Sequence, residues 1–198
     1  MSLSHTTAPL SGYEHVISHV LDLVAEQNQR PVAQHGTQVA LTTMLTTAAY
    51  QVLFKEFEPT KVNLENCYPT ESQMKAHIET LFNPLDSTGQ VAAECWSDYK
   101  IKLEAWHAHR ANFEYSLRDW PAIQAHLGSL VKPPEVASQI LQAIASPARF
   151  EELTPAPTDT EIQFAFKNAP LIRHRFTLGD LFVFLNWDQE TLWTQINK

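Results

Sequence analysis

The sequence predicts an all-α fold, a multi-helix bundle. Apolar residues recur at the three- and four-residue spacing of helices along most of the chain, and runs typical of β-strands are scarce. Helix-start signals, such as Pro69-Thr70-Glu71 and Pro133-Pro134, separate these segments. At 198 residues the chain is long enough for one hydrophobic core, so we expect residues 1–198 to form a single helical domain.

The first half of the chain is predicted to contain four helices. The first covers about residues 12–25, with Ser11 and Glu14 in the pattern of a capping box. The second covers about residues 36–57, and its low charge with abundant Ala, Thr and Leu favours a buried central position. The remaining two are predicted over about 69–82 and, without interruption, over about 88–117.

The second half is predicted to contain five shorter helices. Asp119-Trp120-Pro121 begins one that reaches Gly128, and Pro133-Pro134 begins the next, which reaches Ile144. Residues 154–160 form a loop, and helices near 159–169, 177–187 and 188–196 follow it. Thr177 with Asp180 forms a capping box, Asp188 caps the last helix, and one short extended piece is expected around 171–176.

The composition excludes several classes of protein. A net charge of -8 argues against a general binder of nucleic acids or anionic membranes, which needs a basic face. The chain has no long apolar run and no secretory signal, and its two cysteines, Cys67 and Cys95, form no CxxC motif. We therefore expect a reduced, cytoplasmic protein. Its five glycines form no phosphate-binding cluster, so no nucleotide-binding half is predicted within this chain.

Three histidines are the strongest candidates for chemistry. His15 and His19 are four residues apart and share a helix face, and His35 begins the next helix. If the intervening loop runs back along the first helix, His15 and His35 can bind one divalent metal ion. His19 would then hydrogen-bond the substrate or relay its proton. The alternative is that these histidines only pack or face solvent, and the chain offers no obvious third ligand.

The same residues carry a resemblance to a known family. Residues 11–22, SGYEHVISHVLD, resemble the SG-x-EH-x-x-SH-x-LD segment of glycerol-1-phosphate dehydrogenases. Residues 35–41 resemble the HGxxVxxG segment that follows it, and residues 172–181 resemble an arginine-rich RFT-x-x-DL segment. Order and spacing agree along most of the chain. The wider superfamily includes 3-dehydroquinate synthase and the iron-containing alcohol dehydrogenases, and this chain resembles only its C-terminal all-helical domain.

The resemblance implies roles for the three histidines. His15 and His35 match the metal-binding histidines, and His19 matches a histidine close to the substrate. Zinc is the first expectation for the metal, with iron or nickel as alternatives. The family's acidic third ligand and its NAD(P) site belong to an N-terminal dinucleotide-binding domain that precedes the matching part and is absent from this chain. Met1-Ser2-Leu3 is accordingly interpreted as a remnant of expression.

This chain also departs from the family pattern. Gln38 stands where glutamate is common after His-Gly, and Thr42 or Thr43 stands where glycine is common. These changes do not affect the predicted metal ligands. They weaken the assignment of the substrate.

Charged residues outside the histidine motif are expected mainly at the surface. Arg173, His174 and Arg175 are expected at the surface or between domains, with phosphate binding as the alternative. Lys100 and Lys102 are expected on the solvated face of their helix.

The sequence therefore predicts the helical metal and substrate domain of an NAD(P)-dependent polyol or polyol-phosphate dehydrogenase, inactive when isolated. The alternatives are a 3-dehydroquinate synthase-like lyase domain and a non-catalytic helical interaction module. We expect a small polyol or its phosphate as ligand, and no nucleic acid or membrane partner. An apolar face left by the missing domain would favour self-association or docking to a Rossmann-type domain.

Overall fold

The computed structural model describes residues 12–197, and in this range the chain is all-α, which confirms the predicted fold class. Ten α-helices are joined by loops and short 3-10 turns, and no β-strand occurs among these residues. The helices are α1 (Tyr13–Gln27), α2 (His35–Glu56), α3 (Glu71–Phe82), α4 (Gln90–Ala108), α5 (Arg110–Ser116), α6 (Trp120–Leu130), α7 (Pro134–Ala143), α8 (Asp159–Asn168), α9 (Leu178–Phe184) and α10 (Gln189–Ile196).

Helix α1 lies at the centre of the hydrophobic core. It packs against α2, α8 and the 3-10 turn over Ala169–Ile172. Its buried stripe follows the three- and four-residue spacing that predicted the helix, because only one face of a helix can meet the core. The stripe consists of Tyr13, Val16, Ile17, Val20, Leu21 and Val24.

Helices α1 and α2 are antiparallel neighbours, and the loop between them determines their register. The Thr42 hydroxyl donates to the Glu14 carbonyl oxygen at 2.7 Å, and the Gln38 amide donates to the Ser18 carbonyl oxygen at 2.9 Å. Residues 28–34 therefore run back along α1, and α2 begins beside the middle of α1 rather than beside its C-terminus. Helix α2 also packs on α7 and α10, in agreement with its predicted central position.

The helix predicted over about 88–117 is wrong in its continuity, because the structure divides it into α4 and α5. Helix α4 begins at Gln90, after Gly89 adopts a left-handed conformation with φ 73°. It ends at Ala108, and the chain bends at His109 into α5. The bend places the rings of Trp106 and Phe113 4.5 Å apart. In a straight helix these residues would be separated by two turns, about 10 Å.

Two other predictions concern helix ends and the extended piece. Residues 171–176 form no strand, because Leu171 and Ile172 belong to a 3-10 turn, and after the extended Arg173 the chain bends at residues 174–175. Ser11 lies outside the described residues. Helix α1 begins after Gly12, and the Glu14 carboxylate accepts from the Gly12 N–H at 3.0 Å.

The N-terminal caps of α9 and α10 agree with the predictions. The Asp180 carboxylate accepts from the Thr177 N–H at 2.7 Å, and the Asp188 carboxylate accepts from the Glu190 N–H at 3.1 Å. Cys67 and Cys95 are both buried and unbridged. Within residues 12–197, no helix has both the length and the apolar character needed to cross a membrane.

Candidate functional site

The three candidate histidines converge on one surface of the α1–α2 pair. The ring centroids of His15 and His19 are 4.9 Å apart, those of His15 and His35 are 4.8 Å apart, and those of His19 and His35 are 5.4 Å apart. Helical spacing brings the first two together, and the backward path of the loop brings His35 to them. The structure thus provides the geometry on which the metal hypothesis depends.

The Nε2 atoms of His15 and His35 are 3.2 Å apart. Two nitrogen ligands about 2.0–2.1 Å from a tetrahedral zinc ion lie about 3.3–3.4 Å apart, so the pair fits one edge of such a site. The same distance also fits a hydrogen bond in which one Nε2 donates to the other.

A complete metal cage is absent from the described part of the chain. No group of three or more His, Cys, Asp or Glu side chains within residues 12–197 is arranged to hold a metal ion. The pair of imidazoles therefore supplies two donors, and any further ligands have to come from solvent, from a substrate or from outside residues 12–197.

A polar network behind the histidines orients His35. The Ser18 hydroxyl lies 3.3 Å from His35 Nδ1, and the Asp22 Oδ2 atom lies 3.9 Å from Nδ1 of both His35 and His19. Buried Gln38 anchors these groups, since its Nε2 donates to the Ser18 hydroxyl at 2.8 Å and to Asp22 Oδ1 at 2.9 Å. Polar partners at Nδ1 leave Nε2 of His35 directed at His15, as is common behind histidine metal ligands.

The electrostatic environment favours neutral imidazoles. Burial lowers the pKa of His15, and the neighbouring His35 adds to this effect. Burial also lowers the pKa of His19, and the charges of His15 and Arg173 add to it. A neutral imidazole has the free lone pair that metal binding and proton acceptance require.

An open cleft of about 520 Å³ begins at His19 and separates α1 from α4. Its polar lining carries four carboxylates and one guanidinium. The lining residues are His19, Asp22, Leu23, Glu26, Val91, Glu94, Cys95, Ser97, Asp98, Ile172 and Arg173. The cleft is large enough for a molecule the size of a polyol phosphate, and it lies directly beside the histidines.

The arginine-rich segment divides between separate surfaces. Arg173 lines the cleft beside His19, as the phosphate alternative requires. Arg175 lines a different cleft, which is formed mainly by apolar residues including Tyr50 and Trp120. His174 is exposed, and its Nδ1 lies 3.7 Å from Asp98 Oδ1. Arg173 therefore lines the cleft beside His19, whereas Arg175 lines the apolar cleft and is one of the charges that lower the pKa of His15.

The prediction that Lys102 is solvated is wrong. Its side chain is 2% exposed and forms an ion pair of 2.6 Å with Asp180, whose side chain is fully buried. Burial lowers the pKa of Lys102 and raises that of Asp180. The signal was present in the sequence, because Lys102 shares the helical spacing of the buried stripe formed by Tyr99, Leu103 and Trp106.

Comparison with known proteins yields one partial similarity. No protein-family model matches the chain, and no solved structure matches it. Glycerol-1-phosphate dehydrogenase [NAD(P)+] of Caldivirga maquilingensis is 44% identical over 45 residues. That match covers 23% of this chain and only 13% of the length of the relative. The similarity suggests a link to an NAD(P)-dependent dehydrogenase.

Proposed function

We propose that this chain is the helical metal and substrate domain of an NAD(P)-linked dehydrogenase for a small polyol or polyol phosphate. The observation that carries the proposal is the 3.2 Å separation of Nε2 in His15 and His35, next to His19, which lines a cleft. The partial similarity to a glycerol-1-phosphate dehydrogenase supports the choice of reaction.

In this proposal His15 and His35 would hold the metal ion through their Nε2 atoms. Zinc is the first candidate, with iron or nickel as alternatives, and the bound ion would polarise a substrate hydroxyl as a Lewis acid. Ser18 and Asp22 keep the His35 ring in place from its Nδ1 side.

His19 moves the proton. Its Nδ1 faces the Asp22 carboxylate, which favours a proton on Nδ1 and a free lone pair on Nε2. The lowered pKa of His19 keeps the ring neutral near pH 7, because burial disfavours its charged form. His19 then accepts the hydroxyl proton at Nε2 as the carbon gives up hydride.

The substrate lies in the cleft between α1 and α4, and Arg173 contacts its anionic end. A guanidinium forms strong, directional hydrogen bonds to phosphate oxygens. The hydride acceptor would be NAD(P), held by a separate Rossmann-type domain. The 198-residue chain alone is therefore expected to show no turnover, and reduction of dihydroxyacetone phosphate by NADH with this chain alone would overturn that expectation.

Metal binding tests the assignment directly. The zinc affinity of the chain is measured by competition with a chromogenic chelator for wild type, His15→Ala and His35→Ala. Exposed His126 lies on α6, away from the site, and His126→Ala provides the matched control. We expect each site variant to lose at least about tenfold in affinity, as loss of one of two ligands requires, and the control to match wild type. Equal affinities in all four proteins would refute the metal site.

A further inference from the structure

The Lys102–Asp180 ion pair joins three parts of the fold. Lys102 on α4 contacts Asp180 on α9 at 2.6 Å and also donates to the Pro170 carbonyl oxygen. The Asp180 carboxylate accepts from both the N–H and the hydroxyl of Thr177, at 2.7 and 2.9 Å. The pair therefore holds both ends of one segment, since Pro170 precedes residues 171–176 and Thr177 follows them.

This segment forms part of the wall of the substrate cleft. Arg173 lies near its middle and lines the cleft together with Glu94 and Asp98 on α4. Lys102 lies on the same helix, one turn beyond Asp98. The ion pair thus connects the arginine segment to α4, one of the two helices that border the cleft.

The energetics indicate a role beyond stability. Removing two charges from water costs so much that apolar side chains of the same volume often stabilise a core equally well. An ion pair with directional hydrogen bonds does specify geometry, because each bond has a preferred distance and angle. The most economical function of this pair is therefore to hold the segment in one place.

Arg173 acts electrostatically on both sides of the cleft. It is one of the charges that lower the pKa of His19 on α1, after burial and His15. On α4, burial raises the pKa of Cys95 to about 11, and Arg173 is the first charge that opposes this rise. The guanidinium therefore lies within reach of both walls.

We propose that Lys102 and Asp180 are positioning residues that fix the segment 171–176 so that Arg173 faces the substrate cleft beside His19. The inference rests on the proposed function, in which Arg173 contacts the anionic end of the substrate.

Inorganic phosphate is the probe for this role. It is titrated into the 198-residue chain at low ionic strength, and its dissociation constant is read from amide chemical shifts around the cleft. The variants are Arg173→Met, the neutral pair Lys102→Met/Asp180→Asn, and all three changes combined. Lys100→Met is the matched control, because Lys100 lies on the same helix but pairs with Glu71 at the surface.

We expect Arg173→Met and the neutral pair each to weaken phosphate binding about tenfold, the usual size of one charge-assisted hydrogen bond. The combined variant should be no weaker than Arg173→Met alone, because the pair acts through Arg173. Lys100→Met should bind like wild type. A pair that only stabilises the fold would lower the melting temperature and leave the phosphate affinity unchanged.

The outcomes separate the two proposals. If Arg173→Met binds phosphate as wild type does, or wild type does not bind it, the anion contact of the proposed function is refuted together with this inference. If Arg173→Met weakens binding and the neutral pair does not, only the positioning role is refuted. Should the neutral pair fail to fold, Thr177→Val removes the hydroxyl contact to Asp180. Weakening of at least about twofold then supports the role, and unchanged affinity overturns it.

Discussion

Replacing Gln38 with glutamate should destabilise the protein in a pH-dependent way. Gln38 is 3% exposed, and the two N–H groups of its Nε2 are shared among three acceptors at 2.8–2.9 Å, the Ser18 carbonyl oxygen, the Ser18 hydroxyl and Asp22 Oδ1. Glutamate has almost the same shape but no N–H group. It would place a carboxylate oxygen about 2.9 Å from Asp22 Oδ1, where the amide now donates.

The loss of stability can be calculated from the proton that the new carboxylate must bind. Two carboxylates in such contact cannot both be ionised, so the new side chain must take up a proton to remain in place. From an unperturbed pKa of about 4.3, protonation at pH 7 costs about 3.7 kcal/mol, and at pH 5 about 1 kcal/mol. Because the carboxyl pKa is raised in the folded state, stability is retained at low pH and lost as the pH rises above about 4.3.

Urea unfolding at pH 5, 6 and 7 measures this effect. Gln38→Met is the matched control, since it removes the amide without adding a titratable group, and its cost should not change with pH. Adding Asp22→Asn to Gln38→Glu should recover most of the loss at pH 7, because it removes the like charge. A pH-independent difference between Gln38→Glu and wild type would refute the reasoning.

Two further predictions concern packing and capping. A Cβ at Gly179 would overlap the rings of Tyr13 and Pro170, so Gly179→Ala should cost at least about 1–3 kcal/mol in urea unfolding. A Cβ at Gly128 would meet open space, so Gly128→Ala should stabilise its helix by about 0.5–1 kcal/mol. A similar change in unfolding free energy at both glycines would contradict this argument. Asp86 accepts hydrogen bonds from the side chain and backbone of the following turn, which lowers its pKa to about 2. Its contribution to stability should be complete above its ordinary pKa of 3.8 and vanish as the pH falls through about 2, so the melting temperatures of wild type and Asp86→Ala should converge at acid pH. A constant gap between pH 5 and pH 2 would count against this account.

Most of the helices could be predicted from the sequence because their signals are local. The buried stripe of α1 repeats every three to four residues, and the Asp188 cap lies beside the turn that it closes. The bend at His109 was missed because it depends on the packing of Phe113 onto Trp106. A helical pattern on both sides of such a bend looks continuous in the sequence.

Only part of the candidate site could be predicted from the sequence. The shared face of His15 and His19 follows from helical geometry, but the approach of His35 depends on the path of residues 28–34. In the sequence, Gln38 differs from the glutamate that is common in the family, and this difference does not indicate its role. Its role follows from the packing of α2 against α1, which places the Gln38 amide between Ser18 and Asp22.

By itself, the sequence determined an all-α protein, the approximate helices and two histidines on one helix face. These features depend on interactions between residues a few positions apart, which the order of residues specifies directly. Only the tertiary structure decided that His35 reaches His15, that Lys102 is buried against Asp180, and that Arg173 faces the cleft. The first two contacts join residues 20 and 78 positions apart, and all three depend on loop paths and on the packing of the whole core.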